Sequence, residues 1–451
     1  MQNFIVIDAG KTHVRAFLCG DDDLQLLSEI NTPSYYEGPV RCLDISNIET
    51  WLLETLSGIK EKDQVSAIIP VTHGAAFAIL GPDGKRKAPV IDYEALISER
   101  ISQTYSALRP AFCDTGSPEL PLGLNLGRQL EWARELGWME PKDCLVPYPQ
   151  YFASFLSGVA TSEVSSLGCH TDLWNPWEGG WSNLAISQGW AEQFAPIERA
   201  DARVGPISPS MSSKTGLPTD TQIYCGLHDS NAALIAIESE VPKHSNQVFI
   251  STGTWHVIFA PQANEAALKA DLDMLVNVRP DGSPLPSARF MGGREMAAIA
   301  GNEPRNVRIE KVQSLITEKA HALPSFSESG GPFQGRRGSL PKASEEDRQA
   351  LAILYAVLMW DFIIDALLPS GAPDQIGLEG SAATALATQL LARLRPNSDI
   401  RLVSPDCSPA MGAYRLVRPT TKVSSANKVE PAPVDGLATY RDKWRALIGE
   451  V

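Results

Sequence analysis

The chain has 451 residues, of which 43% are hydrophobic and 20% are charged, a composition that predicts a soluble globular protein of about two or three domains. Its formal net charge of −14 argues against nucleic-acid or anionic-membrane partners, which need a basic surface. Seven cysteines without a C-x-x-C motif indicate neither a disulfide framework nor a zinc site, and without a signal peptide or an apolar run approaching about 18 residues we expect a cytoplasmic location.

The first predicted element is a β-hairpin with apolar strands at residues 4–7 and 14–18. Its turn contains Gly10-Lys11-Thr12, which resembles the end of a P-loop. A P-loop needs an earlier glycine at the position where this chain has Ile5, and it leads into a helix rather than a strand. The turn is therefore interpreted as a hairpin turn and not as a P-loop.

The remainder of the first half alternates predicted strands with helices. Thr72-His73-Gly74 separates two strands, and a later strand through Gly226-Leu227-His228-Asp229 runs into a helix of small residues. The expected strands are 65–71, 76–80 and 223–229, the expected helices are 123–136, 151–156 and one from 232, and residues 174–181 are expected to be irregular. The polar residues 240–246 are a candidate linker, which predicts domains at 1–242 and 243–451.

The second half opens like a copy of the first. A strand at 247–250, a turn at Ser251-Thr252-Gly253-Thr254 and a strand at 255–260 predict a second hairpin. The later predicted elements are a Gly-rich turn at 291–293, an apolar helix at 351–368, a strand and turn at 376–381 leading into a helix at 382–394, a polar surface connection at 420–433 and a final helix at 437–447.

These motifs, in this order, resemble the FGGY carbohydrate kinases over nearly the whole chain. Asp8 to Arg15 is similar to the family's D-x-G-[TS]-[TS]-[SN]-x-R opening, Gly226 to Ala233 to its G-x-x-D-x-x-A-A element, and Ser251 to Trp255 to its second phosphate loop. Residues 65–93 align with the sugar-facing strand pair and residues 380–384 with the adenine-side turn. The resemblance implies an α/β fold in which two actin-like (ribonuclease H-like) ATPase domains flank a catalytic cleft.

Individual segments are similar to different members of that family. The Gly226–Asp229 and Ser251–Trp255 stretches look most like rhamnulokinases, whereas Thr72-His73-Gly74 is similar to the M-H-G of xylulokinases. Glycerol kinases place an Arg-Glu pair where this chain has Gly74-Ala75. The resemblance thus implies phosphorylation of a primary hydroxyl of a ketose, with a 6-deoxyketose such as rhamnulose or fuculose first and xylulose or ribulose second. A non-catalytic regulatory member and an acyl-phosphate kinase are the remaining alternatives.

The resemblance also assigns roles in the first half. Asp229 is the expected general base, with a helix N-cap as the alternative, and Asp8 is expected to position Mg²⁺ through water, with a capping role as the alternative. His73, Gly74, His228 and Asp229 are expected to bind the sugar, although His73 and Gly74 also suit a strand bulge and His228 a structural histidine.

The expected nucleotide contacts are shared between the two turns and the later glycines. Glycines let the backbone approach phosphate oxygens, while hydroxyls and an ammonium supply donors. Lys11 departs from the Thr or Ser that is usual in the family, and a cation there could support the β- or γ-phosphate. The ATP-binding set is Gly10, Lys11, Thr12, Arg15, Thr252, Gly253, Thr254, Gly292, Gly293, Gly380, Ser381 and Thr384. The expected partners are a small sugar and ATP, without nucleic acid or membrane, and a homodimer is left open.

Overall fold

The structure is a computed structural model that describes residues 3–20, 23–301, 307–328, 330–404, 408–419 and 426–449. Cys407 and residues 420–425 of the predicted polar connection at 420–433 lie outside the described residues. The strands are β1 Asn3–Ala9, β2 His13–Gly20, β3 Asp23–Asn31, β4 Ser34–Glu37, β5 Val40–Leu43, β6 Val65–Thr72, β7 Phe77–Leu80, β8 Val90–Ile91, β9 Cys144–Pro147, β10 Trp174–Asn175, β11 Gly180–Trp181, β12 Arg203–Pro206, β13 Gln222–Tyr224, β14 Leu227–His228, β15 Gln247–Thr252, β16 His256–Phe259, β17 Met274–Val278, β18 Pro284–Phe290, β19 Gln375–Gly380, β20 Asp399–Leu402 and β21 Asn427–Lys428.

Helices cover much of the remaining described chain, together with three short 3-10 turns at Lys62–Gln64, Glu265–Ala267 and Ala270–Leu272. The α-helices are α1 Ile45–Ser57, α2 Glu99–Leu108, α3 Phe112–Thr115, α4 Leu126–Glu135, α5 Tyr148–Ser157, α6 Val164–Leu167, α7 Asn183–Ser187, α8 Trp190–Gln193, α9 Pro209–Thr215, α10 Asp229–Glu240, α11 Gly292–Ala300, α12 Ile309–Glu318, α13 Glu345–Leu367, α14 Ala385–Leu394, α15 Pro409–Val417 and α16 Leu437–Ile448.

The chain forms two compact units, each assembled from three segments. Unit 1 contains Met1–Ala236, Val276–Leu285 and Ser408–Thr421, and unit 2 contains Ile237–Leu275, Pro286–Cys407 and Lys422–Val451. The change from one unit to the other first occurs inside α10, since Ala236 and Ile237 are both helical. The predicted domain limits, 1–242 and 243–451, stay a prediction beside these units.

The main sheet of unit 1 brings three strand ends together. Its order is β12-β13-β6-β1-β2-β3, and β14 also pairs with β6. The predicted first hairpin is confirmed, because β1 and β2 pair antiparallel. In contrast β1, β6 and β14 are parallel, with Ala9 and His228 both in register with Thr72. Residues at the carboxyl ends of these three strands therefore lie at one edge of the sheet.

The main sheet of unit 2 repeats this arrangement. Its order is β17-β18-β16-β15-β19-β20-β21, and the predicted second hairpin is confirmed by the antiparallel pairing of β15 with β16. The parallel neighbour of β15 is β19, with Thr252 in register with Gly380. The second turn and the predicted adenine-side turn are consequently adjacent.

Helix α13 requires a correction to the expectation that no apolar stretch approaches the length of a membrane span. It has 23 residues and one window that passes by length and hydropathy, but 89% of that window is buried inside the protein. Asp361 on this helix is 1% exposed and lies 3.0 Å from Arg395 and 2.7 Å from Arg445. The helix therefore forms the core of unit 2, where its apolar faces are covered by protein.

Three local expectations were wrong. Gly292 and Gly293 do not form a turn but begin α11, because Gly293 N–H bonds to Thr254 O at 3.3 Å and places the helix start against the second turn. Strands β6 and β7 are not a pair, since β7 pairs with β9 and β6 with β1. Residues 174–181, which were expected to be irregular, contain the short antiparallel strand pair β10 and β11.

Candidate functional site

The sugar and base residues predicted in unit 1 converge at one edge of its main sheet. Asp8 lies near the end of β1, His73 and Gly74 follow β6, and His228 ends β14 immediately before Asp229 begins α10. Parallel pairing of the three strands makes this convergence unavoidable, because their carboxyl ends share an edge. Five predicted residues from three segments that are far apart in the sequence are thus brought to one edge of the sheet.

Asp229 is held by its neighbours but keeps access to solvent. Its Oδ1 lies 3.2 Å from Nε2 of His228 and accepts a hydrogen bond of 3.3 Å from the Ser230 hydroxyl. The Asp229 side chain is 28% exposed, whereas that of His228 is 6% exposed. A carboxylate oriented by an imidazole and open to solvent has the form expected of a general base.

The Asp8 carboxyl is in an unfavourable electrostatic position. Burial and the nearby negative charge of Asp229 raise its pKa to about 7, although Arg15 opposes this change. A cation bound next to Asp8 would offset the repulsion that the Asp229 charge exerts on it. Among the described residues no group of three or more His, Cys, Asp or Glu side chains could hold a metal ion. A cation bound mainly by water and few carboxylates, as Mg²⁺ prefers, fits this donor set.

His73 presents one free nitrogen of a neutral ring. Its Nδ1 lies 2.7 Å from the Gly74 carbonyl oxygen, so Nδ1 carries the proton and Nε2 is an acceptor. Nε2 is buried and has no partner among the described residues. Burial lowers the pKa of His73, and the ring is enclosed by Tyr93 and Tyr148, at centroid distances of 5.4 and 5.1 Å. Such a nitrogen can accept a hydrogen bond from a hydroxyl.

Backbone strain is concentrated beside these residues. Ala75, His170 and Asp172 have φ values of 53°, 42° and 64°, in the left-handed region that non-glycine residues rarely adopt. Asp172 is held in place by Arg109 at 2.8 Å and by the Tyr105 hydroxyl at 2.7 Å. Strain that is over-determined by surrounding contacts is typical of ligand sites.

Lys11 is engaged by carboxylates instead of projecting freely from its turn. Its ammonium forms an ion pair with Asp92, lies 3.4 Å from Glu94, and sits 4.6 Å from the centroid of the Tyr93 ring. Arg41 binds the same two carboxylates, each at 3.1 Å. An ATP phosphate would therefore have to compete with two carboxylates for the ammonium of Lys11. The positive charges of Lys11 and Arg41 balance the negative charges of Asp92 and Glu94.

The rest of the first turn has the geometry of a tight hairpin. Gly10 N–H bonds to His13 O at 3.0 Å, and the Thr32 hydroxyl donates to Gly10 O at 2.8 Å. Thr12 is exposed, which leaves its hydroxyl accessible. Arg15 forms an ion pair with Glu29 on the neighbouring strand β3. The positive charge of Arg15 thus lowers the pKa of Asp8, while its guanidinium is bound to Glu29.

In unit 2 the predicted nucleotide residues of three segments meet. The Thr252 hydroxyl donates to Glu379 O at 2.8 Å and accepts from Ala382 N–H at 3.1 Å, and Ser381 N–H donates to Thr252 O at 2.9 Å. The glycines are needed for this packing. A Cβ on Gly293 would stand 2.3 Å from Gly253 O, and one on Gly380, whose φ is 94°, would stand 2.1 Å from Thr252 O. The arrangement joins a Gly-Thr turn to the N-terminus of α11, which suits phosphate binding.

Two predicted residues of unit 2 already have structural roles. The Thr384 hydroxyl accepts a hydrogen bond of 3.2 Å from Ala387 N–H and caps α14. Gly292 lies against His256, since a Cβ there would be 2.1 Å from Nδ1 of that ring. These contacts explain the two residue types without a ligand, and a nucleotide contact for either stays a prediction.

Sequence reasoning missed several residues that surround the site. Asp92 and Glu94 were not identified, although Lys11 in a phosphate turn is a signal that a counter-charge is nearby. Cys169, whose Sγ lies 3.2 Å from His228 Nε2, and Ser165, whose hydroxyl accepts from His228 N–H at 3.2 Å, carried no recognisable motif. Their contribution arises only from the folded chain.

Comparison with known proteins identifies the family. Residues 244–425 match the family described as "Carbohydrate kinase FGGY, C-terminal domain". The crystal structure of a carbohydrate kinase from Novosphingobium aromaticivorans is 36% identical, has a TM-score of 0.87, and the match covers 98% of this chain and 100% of that one. A ligand-bound xylulose kinase from Lactobacillus acidophilus has a TM-score of 0.81 at 17% identity, covering 100% of this chain and 97% of that one.

A curated relative matches over part of its length. A rhamnulokinase from Ligilactobacillus salivarius is 22% identical over 267 residues, which are 57% of this chain and 54% of that relative. The chain therefore spans about half the length of this relative. The solved structures share the predicted α/β fold of two actin-like ATPase domains, which is confirmed. From its identity to a solved carbohydrate kinase over that protein's full length, together with the matching C-terminal domain, the chain belongs to the FGGY family of ATP-dependent carbohydrate kinases.

Proposed function

We propose that the chain transfers the γ-phosphoryl group of ATP to a primary hydroxyl of a ketose, and that its substrate is a 6-deoxyketose such as rhamnulose or fuculose. The convergence of Asp8, His73 and Asp229 at the edge formed by β1, β6 and β14 carries this proposal. Within unit 1, Asp229 supplies a base, His73 an acceptor for a hydrogen bond from a sugar hydroxyl, and Asp8 a negative charge for a cation. The roles of these residues are part of the proposal.

Asp229 acts as the general base in this scheme. Its carboxylate takes the proton from the sugar hydroxyl while that oxygen forms a bond to the γ-phosphorus. The bond between the γ-phosphorus and the bridging oxygen breaks, and ADP leaves with the electron pair. His228 holds the Asp229 carboxylate at 3.2 Å, and this contact limits its rotation before the proton moves.

Asp8 provides the carboxylate next to which Mg²⁺ would be held through water. When bound, the ion neutralises phosphate charge and relieves the repulsion between Asp8 and Asp229. In unit 2, the backbone of the Thr252–Thr254 turn and the N-terminus of α11 provide donors for phosphate oxygens. Lys11 serves mainly to hold Asp92 and Glu94.

The charges around the site favour an uncharged sugar. Lys11 and Arg41 are each paired with Asp92 and Glu94, which leaves no surplus positive charge in this cluster. A sugar acid would add a negative charge to those of Asp8 and Asp229, which an uncharged sugar does not. Nε2 of a neutral His73 accepts a hydrogen bond from an uncharged hydroxyl group.

A xylulose or ribulose kinase is the second candidate. Thr72-His73-Gly74 supports it, and the relative from Lactobacillus acidophilus carries the name xylulose kinase. The rhamnulokinase likeness of Gly226–Asp229 and the curated relative of that name support the deoxyketose. Both candidates use the same base and the same chemistry.

The test is a coupled assay of ATP turnover with Mg²⁺ and a panel of acceptors. The panel contains rhamnulose, fuculose, xylulose, ribulose, glycerol, gluconate and acetate. Asp229→Asn should lower sugar-dependent turnover by a factor of about 10² to 10⁴, because it removes the base. The exposed Asp220→Asn is the matched control and should retain the wild-type rate.

Each result selects one hypothesis. The highest kcat/KM with rhamnulose or fuculose supports the proposal, and a preference for xylulose or ribulose selects the second candidate. Nucleotide binding without turnover of any acceptor would establish the regulatory alternative, and turnover with acetate the acyl-phosphate kinase. Full activity of Asp229→Asn would overturn the assignment of the base.

A further inference from the structure

The segment around α6 supports His228 from two directions. The Ser165 hydroxyl accepts a hydrogen bond of 3.2 Å from the backbone N–H of His228. Cys169 Sγ lies 3.2 Å from Nε2 on the same residue. Ser165 and Cys169 are 0% and 1% exposed, so both contacts are shielded from water. One short segment therefore fixes both the backbone and the ring of the residue that precedes Asp229.

Glu163 determines which way the Ser165 hydroxyl points. It is the N-cap of α6 and is fully buried. Its Oε2 accepts the Ser165 hydroxyl hydrogen at 2.6 Å, while its Oε1 accepts Ser165 N–H at 2.9 Å. Because the hydroxyl hydrogen is committed to Glu163, the lone pairs of Ser165 Oγ are available to His228 N–H. Without the carboxylate, the hydroxyl could rotate and present its hydrogen to that N–H instead.

The ring of His228 in turn contacts the carboxylate of Asp229. Nε2 of His228 is 3.2 Å from Asp229 Oδ1 and also 3.2 Å from Cys169 Sγ. A protonated Nε2 donates to the carboxylate, with the sulfur as a weak second acceptor. Gly74 also lies against the ring, because a Cβ on it would stand 3.0 Å from Nε2. The imidazole consequently has little freedom to turn away from Asp229.

We propose that Ser165, oriented by Glu163, and Cys169 are positioning residues that hold His228 and, through it, the carboxylate of Asp229. This inference rests on the proposed function, in which Asp229 is the general base. Neither Ser165 nor Cys169 touches the substrate in this scheme. Their effect is on the geometry of proton transfer, where a displacement of about 1 Å can cost about 100-fold in rate.

Ser166 provides a matched control for Ser165. It lies on the same helix, is 6% exposed, and donates to the same Glu163 oxygen through its N–H at 3.2 Å and its hydroxyl at 3.4 Å. Within the described residues its hydroxyl bonds to Glu163 and not to His228. Ser165→Ala and Ser166→Ala each remove one hydroxyl hydrogen bond to Glu163, of 2.6 and 3.4 Å, but only the first removes support of His228.

The experiment measures kcat, KM for ATP and thermal unfolding with the best acceptor of the panel above. Ser165→Ala should lower kcat by about 10- to 100-fold and leave KM for ATP within about twofold, since a misplaced base affects the chemical step. Ser166→Ala should change kcat by less than about threefold. Equal kcat losses in the two variants would overturn the proposal, because they would indicate general damage to the helix.

Two variants of Cys169 and a double mutant test the proposal independently of whether Ser165→Ala folds. Cys169→Ala should lower kcat, and Cys169→Ser, which retains a hydrogen-bonding atom, should recover most of it. Ser165→Ala should add nothing to the loss in an Asp229→Asn background, since both act on the same carboxylate. If Ser165→Ala does not fold, equal rates for the two Cys169 variants overturn the proposal. Full activity of Asp229→Asn would instead overturn the assignment of Asp229 as the base, on which this inference rests.

Discussion

Gly74 leaves no space for a side chain beside His228. A Cβ on Gly74 would stand 3.0 Å from His228 Nε2, and the sulfur of Cys169 would be 2.8 Å away on the same side. The φ of Gly74 is not in the left-handed region, so the need for glycine is steric and not conformational. Glycine at this position permits the ring of His228 to approach the end of β6.

Gly74→Ala should therefore impair activity more than stability. The added methyl group pushes the His228 ring or the Cys169 thiol, and the ring holds Asp229. We expect kcat/KM for the sugar to fall by about 10- to 100-fold and unfolding free energy to fall by about 1 to 3 kcal/mol. Steady-state kinetics and urea unfolding check both values. Gly180→Ala, which meets nothing within 4 Å, is the control and should leave kcat/KM unchanged.

Asp8 should make stability depend on pH. Its pKa is raised by burial to about 7 in the folded protein, from 3.8, so the protein favours the protonated form. The corresponding stability is fully present below about pH 3.8 and is lost as the pH rises through about 7. Asp8→Asn carries no charge and escapes this loss. It should exceed wild type in unfolding free energy by about 2 to 4 kcal/mol at about pH 8 and be equal to it at about pH 3 to 4.

Urea unfolding of both proteins over this pH range, without Mg²⁺, checks the difference. Glu163 and Glu379 also have pKa values raised by burial to about 7, but they are present in both proteins and cancel in the comparison. Added Mg²⁺ should stabilise wild type and not Asp8→Asn, because only the carboxylate attracts the ion. A difference between the proteins that is constant with pH would show that Asp8 has an ordinary pKa.

The local elements around the site were predictable because short sequence patterns determine them. The hairpins β1–β2 and β15–β16 follow from apolar runs around Gly-Thr turns, and both are confirmed. The parallel contacts of β1 with β6 and of β15 with β19 were not predicted and are seen only in the structure. The predicted hairpins therefore placed Asp8 and Thr252 at the ends of their strands, next to the turns.

The partners of these residues were not predictable, since they are distant in the sequence. Lys11 and Asp92 are separated by 81 positions, and Ser165 and His228 by 63. No periodicity or turn signal connects such pairs. The glycines at 292 and 293 show the opposite failure: their low helix propensity predicted a turn, and tertiary packing against the second turn made them the start of α11.

Lys11→Thr, which introduces the residue type usual in the family, should act mainly on stability. Asp92 is 1% exposed and, within the described part of the chain, would keep Arg41, at 3.1 Å, as its one cationic partner. We expect a loss of about 1 to 3 kcal/mol in unfolding free energy and a change in KM for ATP below about threefold. Unfolding and steady-state kinetics measure the two effects.

The control for this variant is Lys11→Thr combined with Asp92→Asn. Removing both charges should restore part of the lost stability, because the uncompensated buried carboxylate is gone. Unchanged stability of Lys11→Thr with a KM for ATP raised about tenfold would contradict the structural role and return Lys11 to the phosphate site.

Gly253→Ala separates phosphate binding from folding in unit 2. A Cβ on Gly253 would have Trp255 O at 3.9 Å as its nearest neighbour, and the φ of Gly253 is not left-handed, so the protein itself accepts alanine. We expect unfolding free energy within about 0.5 kcal/mol of wild type. ATP affinity measured by calorimetry should fall by about tenfold, since the methyl group occupies the space through which the backbone approaches a phosphate.

Gly293→Ala is the comparison for this last variant, because its Cβ would stand 2.3 Å from Gly253 O without any ligand present. It should lose both stability and ATP affinity, as the start of α11 is forced away from the second turn. Wild-type ATP affinity in Gly253→Ala would mean that this turn is only a hairpin, and the phosphate site would then have to be sought elsewhere in unit 2. A loss of ATP affinity without a change in stability in Gly253→Ala is the result that a phosphate-binding backbone requires.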